Sequence, residues 1–343
     1  MRAFIAGPVR APDAMRIFVT GGAGFVGRHI VRRLRAAGAE VSVLVRAGSD
    51  RSVLPADVRR VTGELGARGA VPAQLRDSLG NADAVIHCAA RLFASDWREY
   101  LRDNSLGAEH LATMIAAHGR NVQRVIMLSS LAAAGPCGDV PGIAEASPPA
   151  PVSAYGWSKL MAEWAMEKHV RDDRLTILRP PIVYGPEDKA LAPLFGLAAR
   201  GLVLQAGRGE TPYSFLYVED LVDAALLCLY APRAAGTYHL EDGRPSSLRE
   251  FGEIIARAVG RHPRRVVLPH ALIRLAAQGS AFAARRLPGR FFPLTPDKAL
   301  EGRQKGWLAD GAKFRREFSF TATTALEQGV AATLRWRENT KKN

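Results

Sequence analysis

Between residues 16 and 179 the apolar positions fall into short continuous runs separated by longer stretches of helical period. Arg16–Thr20 is a short apolar run ending in glycines, and the stretch from Gly24 to about Ala37 repeats at helical spacing. Val41–Val45 and Val58–Thr62 are β-branched runs, Ala84–His87 is another, and Val122–Ser129 has the pattern of a buried strand. Helical periods cover about Trp97 to His118 and Ser153–Val170, and Leu175–Leu178 reads as a further strand. Continuously apolar strands alternating with helices predict a parallel sheet covered on both faces. After Pro180 the pattern breaks up. Helical segments at Glu219–Tyr230 and Leu248–Val259 alternate with short strands, prolines and glycines, as expected of a smaller lobe. The predicted class is α/β: a doubly wound parallel sheet over residues 15–180, with 214–240 contributing, and a smaller α/β substrate lobe over 181–343.

Composition changes this picture little. At 343 residues the chain can hold one large α/β domain and a lobe. The formal charge of +14 admits an anionic ligand, a nucleic acid or a membrane surface. No dense basic run with interleaved aromatics occurs, so dispersed solvated arginines are expected and nucleic acid is not. Cys88, Cys137 and Cys228 have neither metal-ligand nor disulfide spacing, which points to a reducing compartment, expected to be the cytoplasm, and to no metal. No apolar run reaches the ~20 residues of a membrane span. Met1–Ala14 is too short and Pro-rich for a signal peptide and reads as a loose extension, or as a misassigned start ahead of Met15.

The first chemistry lies in Thr20-Gly21-Gly22-Ala23-Gly24-Phe25-Val26-Gly27, between the first strand and the first helix. Glycines at 21, 24 and 27 suit a tight turn, close approach of backbone to a pyrophosphate, and close helix–strand packing. The helix N-terminus then offers unpaired N–H groups to the phosphates. This is the Rossmann-type context for a dinucleotide. The second strand ends Val43-Leu44-Val45-Arg46, without the acid that would accept from an NAD ribose 2′-OH. A guanidinium there suits a 2′-phosphate, so NADP(H) is expected ahead of NAD(H), with Ser49 and Arg51 assisting Arg46.

The second chemistry is Tyr155-Gly156-Trp157-Ser158-Lys159, which sets a tyrosine and a lysine one helical turn apart on one face. An ammonium near the phenol is expected to lower its pKa toward working pH, so that the tyrosine can exchange a proton with a ketone or alcohol.

The GxxGxxG spacing, the YxxxK pair, Leu128-Ser129-Ser130, Asp103-Asn104-Ser105, Arg179-Pro180-Pro181-Ile182-Val183-Tyr184-Gly185-Pro186 and Phe215-Leu216-Tyr217-Val218-Glu219-Asp220 occur in one order. Together they resemble the extended short-chain dehydrogenase/reductase superfamily, the NAD-dependent epimerase/dehydratase family, from Arg16 to about Tyr230. The resemblance implies a catalytic set of Ser130, Tyr155, Lys159 and Asn104. Ser130 would orient the substrate oxygen, and Asn104 would support Lys159 through water. It also implies a dinucleotide site of Gly21, Gly24, Phe25, Val26, Gly27, Arg46, Glu64, Ala89, Tyr155, Lys159, Pro181 and Ile182, with Glu64 on the adenine edge. A homodimer through the helices at Trp97–His118 and Ser153–Val170 is expected on the same ground.

Departures from the sugar-nucleotide pattern are informative. Ile182 stands where epimerases carry Asn, and Tyr213-Ser214 where they carry Arg-Asp. Leu131-Ala132-Ala133 lacks the Asp-Glu pair of 4,6-dehydratases, and Ala134 replaces a tyrosine. The Arg-Pro-Pro form and the Arg-ending second strand look more like the 3β-hydroxysteroid dehydrogenase and dihydroflavonol-reductase-like branch. That likeness implies interconversion of a ketone and a secondary alcohol on an apolar or polycyclic small molecule. Leu92, Phe93, Trp97, Leu131, Tyr184 and Phe215 are candidates to line its pocket, with core placement the better expectation for each alone. Leu268–Leu287 reads as an apolar helix with Arg274, Arg285 and Arg286, expected to pack on the lobe rather than lie on a membrane. Thr295-Pro296-Asp297-Lys298-Ala299 reads as a Pro-started helix with a structural role. The competing readings are a nucleotide-sugar epimerase with tightly held NAD and a non-catalytic dinucleotide-binding sensor or assembly protein.

Overall fold

The computed structural model describes residues 15–66, 72–207, 209–231, 234–287 and 294–342. The expected extension Met1–Ala14 lies outside them. Six strands run in the order of the chain: β1 (Arg16–Thr20), β2 (Glu40–Val45), β3 (Arg59–Thr62), β4 (Ala84–His87), β5 (Arg124–Leu128) and β6 (Leu175–Arg179). With the strand Gly236–His239 at one edge they form a seven-stranded parallel sheet. Its order is β3, β2, β1, β4, β5, β6 and then 236–239. The order reverses between β1 and β4, which opens a crevice at the carboxyl ends of the strands.

Alternation along β1 shows why the sheet has two covered faces. Ile17 and Val19 face a core shared with Ile30, Val31 and Leu34 of the helix Phe25–Ala36 and with Leu221, Val222 and Ala225 of the helix Val218–Tyr230. Phe18 faces the opposite core, among Leu111, Met114, Ala162 and Met166 of the helices Gly107–His118 and Ala154–His169. A one-residue slip would exchange the two sets.

The helical stretch read from Trp97 to His118 contains a wider turn. Between Trp97–Tyr100 and Gly107–His118, residues Leu101–Leu106 adopt π-helical geometry. This turns Asp103, Asn104 and Ser105 inward, and all three are buried.

The lobe has a separate aromatic core. Tyr184, Phe195, Phe215 and Phe251 pack edge to face or stacked, with centroids 5.0–6.3 Å apart. Three small sheets support it: Ile182–Tyr184 with Phe215–Tyr217, Pro212–Tyr213 with Ser246–Ser247, and Leu202–Ala206 with Arg264–Leu268. Asp220 accepts from the backbone N–H of Thr323 (3.0 Å) and Thr324 (3.3 Å), tying the lobe's last segment to the main domain. The helix His270–Arg286 departs from expectation. Among its described side chains only Ala277 is buried, so it lies on the lobe without sinking its apolar residues into it.

Candidate active site

β1 delivers the chain into the crevice at Gly21, whose φ of +70° favours glycine. A Cβ at Gly21 would stand 2.5 Å from the Ala89 nitrogen, and one at Gly27 would stand 2.2 Å from the Gly21 oxygen. Both positions therefore require glycine, because backbone approaches backbone there. Gly24 caps the helix Phe25–Ala36 with no side-chain hydrogen bond, and the first turn carries no acid. The outcome is a concave surface of bare backbone at a positive helix end, which fits a pyrophosphate. Phe25 and Val26 are half-buried behind it and Ala89 forms its far wall. Pro181 and Ile182 lie half-buried just beyond the carboxyl end of β6.

At the end of β2 the Arg46 side chain is about half exposed. It stands 3.9 Å from Glu64 and 3.7 Å from Asp103, both too long for good hydrogen bonds. Asp103 is taken by shorter partners, Arg91 at 2.6 Å and Arg102 at 2.7 Å, which hold its carboxyl below the ordinary value against the cost of burial. Ser49 accepts from the Arg46 N–H at 3.2 Å, and Arg51 donates to Thr62 at 3.3 Å. Three of the residues expected around a 2′-phosphate thus share one corner.

Tyr155 and Lys159 are carried by the helix Ala154–His169. Ser153 caps it, accepting from Gly156 N–H at 2.9 Å. The helix is clamped to β6 by a buried pair: Arg179 donates to Glu163 at 2.6 and 3.0 Å, and Ser129 also bonds Glu163. Arg179 of the Arg-Pro-Pro motif is therefore a strut beneath the site.

Tyr155 is 7% exposed, and burial holds its phenol well above the ordinary value, while a hydrogen bond from Ser130 pulls it back. The Lys159 ammonium, expected to tune the phenol, donates to the Leu128 carbonyl at 2.8 Å, beside His87 and Cys88. Burial lowers its pKa to about 8, with Glu163 and Cys88 opposing. Asn104 binds the residue next to the lysine: it donates to Ser158 Oγ at 2.8 Å, accepts from Arg91 N–H at 2.6 Å and donates to Arg91 O at 3.1 Å. Its observed work is to join the loop after β4 to the helix Ala154–His169.

Three of the proposed pocket residues are core. Tyr184 and Phe215 are fully buried in the lobe's aromatic cluster, and Leu131 is buried with Ala134, Cys137, Ile143 and Leu308. Leu92 and Trp97 are exposed and Phe93 is half-buried.

The helix Pro296–Glu301 contributes residues that sequence reading missed. Asp297 accepts from the backbone N–H groups of Ala154 (2.7 Å) and Tyr155 (3.1 Å), and Ser153 donates to Glu301 at 2.6 Å. The Lys298 ammonium sits 4.3 Å from the centre of the Tyr155 ring and pairs with Glu301 at 2.7 Å. Thr295 caps this helix and the proline starts it, so the local signal was present. Nothing in it names a target 142 residues away.

This arrangement agrees with comparison at the level of whole chains. A model of the NAD dependent epimerase/dehydratase family matches residues 17–240. The chain belongs to that family. It is 32% identical to a ceramide reductase of Caulobacter vibrioides over 76% of this chain and 75% of the relative. It is 27% identical to a 4-hydroxy-2-methyl-3-oxo-4-farnesyl-3,4-dihydroquinoline-1-oxide ketoreductase of Stigmatella aurantiaca, over 93% and 95%. Among solved structures, MoeE5 in complex with UDP-glucose and NAD superposes with a TM-score of 0.75 at 27% identity, covering 96% of this chain and all of that one. The UDP-glucose 4-epimerase of Thermotoga maritima shares the fold, with a TM-score of 0.75 at 23% identity over 95% of this chain and all of that one. This family member is thus a short-chain-type NAD(P)-dependent enzyme of the oxidoreductase/epimerase group. Among the described residues no helix is long and apolar enough to cross a membrane.

Proposed function

We propose that this enzyme is an NADP(H)-dependent reductase that interconverts a ketone and a secondary alcohol on an apolar, lipid-like molecule. The observation that carries the reading is the buried Tyr155 phenol with Ser130 hydrogen-bonded to it. Burial keeps the phenol protonated at neutral pH, which is the state a proton donor to a carbonyl needs.

The dinucleotide, when bound, supplies the hydride. Tyr155 gives its proton to the substrate oxygen as the carbonyl becomes an alcohol, and Ser130 donates a hydrogen bond to the same oxygen. Lys159, one turn away, would hold the ribose with its ammonium. The glycine cradle would hold the pyrophosphate, and Arg46 with Arg51 would receive the 2′-phosphate. An apolar substrate is supported by the short helix Leu131–Ala134, wholly buried and uncharged after Ser130. It is supported also by Ser214, which caps the Ala309 N–H at 3.1 Å where sugar-nucleotide enzymes carry an acid. The ceramide and farnesyl-quinoline reductases point the same way. A homodimer through the exposed Trp157, Met161 and Trp164 of the catalytic helix fits this reading. Sedimentation velocity of the wild type and Trp164→Glu tests it, a shift from dimer to monomer being expected.

The decisive experiment titrates NADPH and NADH against wild type and Arg46→Ala, then follows NADPH oxidation with long-chain and polycyclic ketones. NADPH should bind more tightly and weaken selectively, by roughly 10–100-fold, in the variant, as expected for lost bonds to a charged group. One observation favours the second reading, an NAD-dependent epimerase: Glu64 and Asp103 lie within 4 Å of Arg46 and offset its charge. NADH preference, or co-purified NAD with no net turnover, would establish that reading instead.

A further inference from the structure

Between Glu253 and Asp297 the chain has eight arginines and no acid, more than half of the formal +14 in about an eighth of the length. Most of its described residues form the strand Arg264–Leu268, paired with Leu202–Ala206, and the helix His270–Arg286 that follows it directly. The strand's first four residues are all exposed, Val266 and Val267 included. The helix turns Ala277 inward, with the half-buried Ile273, Ser280 and Ala284 on the same stripe. Its outward stripe carries Leu272, Leu275 and Phe282, of which Leu275 is 65% and Phe282 60% exposed.

The rim of this apolar face is basic. Glu253, on the neighbouring helix, pairs with Arg265 at 3.1 Å and with Arg257 at 3.8 Å. Arg261, Arg264 and Arg274 are exposed and have no ion pair among the described residues. Arg286 lies over the Phe282 ring at 4.7 Å. Large apolar side chains at the centre of an arginine rim are poor in water, because both the exposed hydrocarbon and the uncompensated charge cost free energy. Nucleic acid would satisfy the charge and leave the leucines wet. A protein partner would have to be acidic around an apolar centre. An anionic bilayer satisfies both demands, taking Leu and Phe into the acyl boundary and arginines to the headgroups.

We propose that the strand Arg264–Leu268 and the helix His270–Arg286 form a docking face for an anionic lipid bilayer, on which the enzyme sits without spanning it. This goes beyond the assignment of cofactor and substrate and does not depend on it. The helix that carries this face adjoins the site. The helix His270–Arg286 packs on the helix Pro296–Glu301, whose Asp297 caps the Tyr155 helix. A docked enzyme therefore has its catalytic tyrosine two helices from the bilayer.

The test is co-sedimentation of the full chain with vesicles of phosphatidylcholine alone and of phosphatidylcholine with one-third phosphatidylglycerol, at 0.1 M salt. Wild type should bind the anionic vesicles at least ~10-fold more tightly than the neutral ones, and binding should fall with salt. The double variant Leu275→Glu/Phe282→Glu should lose capture while keeping its thermal unfolding midpoint and its NADPH affinity. Arg261→Glu/Arg264→Glu/Arg274→Glu should weaken capture by roughly 100-fold. Absence of capture by anionic vesicles would overturn the proposal. So would capture that Leu275→Glu/Phe282→Glu leaves unchanged, salt-sensitive binding to homopolymer RNA without vesicle binding, or a wild-type dimer that this variant splits.

Discussion

The two ends of the crevice are built in opposite ways. At the phosphate end one unbroken stretch, Thr20–Gly27, supplies nearly everything: strand end, turn, cradle and helix start. At the proposed chemical end Ser130 comes from just past β5, Tyr155 and Lys159 from one helix, Asn104 from a π-helical turn, and Asp297 and Lys298 from the far end of the lobe. A local site is set by backbone conformation and tolerates no side chain. An assembled site is set by packing between segments, so its working residues can be altered in graded steps. Substitutions should therefore fail together at the first end and separably at the second.

The largest expected effect is at the assembled end. Tyr155→Phe should lower kcat by about 10²–10⁴-fold, the usual worth of a positioned acid, with dinucleotide affinity changed by no more than a few-fold. Fluorescence titration beside steady-state rates checks it, and equal losses in both would make the two ends one unit. Gly27→Ala should do the reverse. Its methyl would meet the Gly21 carbonyl, so dinucleotide affinity should fall by at least ~100-fold together with the thermal midpoint. A variant that binds normally would show the cradle to be less tight than it is drawn.

Asp297→Asn should be intermediate. It weakens two bonds to the start of the Tyr155 helix, each worth on the order of 1–3 kcal/mol to a charged acceptor. A roughly tenfold fall in kcat is expected with NADPH affinity intact and stability lowered by about 1–3 kcal/mol. If affinity falls as well, the lobe reaches the phosphate end, and the comparison loses its force.

The smallest effect is on stability against pH. Below about pH 8 folded and unfolded chains both carry the Lys159 ammonium, and the folded state bears the full cost of burying it. Between about 8 and 10.5 the folded chain has shed a proton that the unfolded chain keeps, so stability should rise with pH across that window. Urea midpoints at pH 7.5 and 9.5 measure this. Lys159→Met should flatten the rise, and a rise that survives the variant must belong to another group.

Legibility in the sequence follows the same division. The strands from β1 to β6 were readable nearly to the residue because each is bounded by turn residues and most are apolar over nearly all their length; β3, Arg59–Thr62, showed only by its β-branched end. The edge strand Gly236–His239 and the pairing of Leu202–Ala206 with Arg264–Leu268 were not, since short lobe strands carry too few residues for a period to show. The partner of the Lys159 ammonium was not legible for a different reason. A spacing of four puts two side chains on one face, but which neighbour the ammonium meets depends on β5, whose Leu128 carbonyl claims it. Tyr184 and Phe215 were pocket candidates with core the better expectation, because aromatic side chains suit both roles, and packing against Phe251 places them in the core.

The sequence by itself determined the sheet, the glycine cradle, the Tyr155–Lys159 face and the absence of an acid after β2. Each of these rests on neighbours within about ten residues, where backbone geometry leaves few choices. Only the tertiary structure decided that Asp297 caps the Tyr155 helix, that Arg179 and Glu163 brace it from below, and that the helix His270–Arg286 leaves Leu275 and Phe282 exposed. Those are contacts between distant segments. Their partners are selected by packing and by the cost of leaving charge or hydrocarbon unmatched, and no local pattern of residues encodes them.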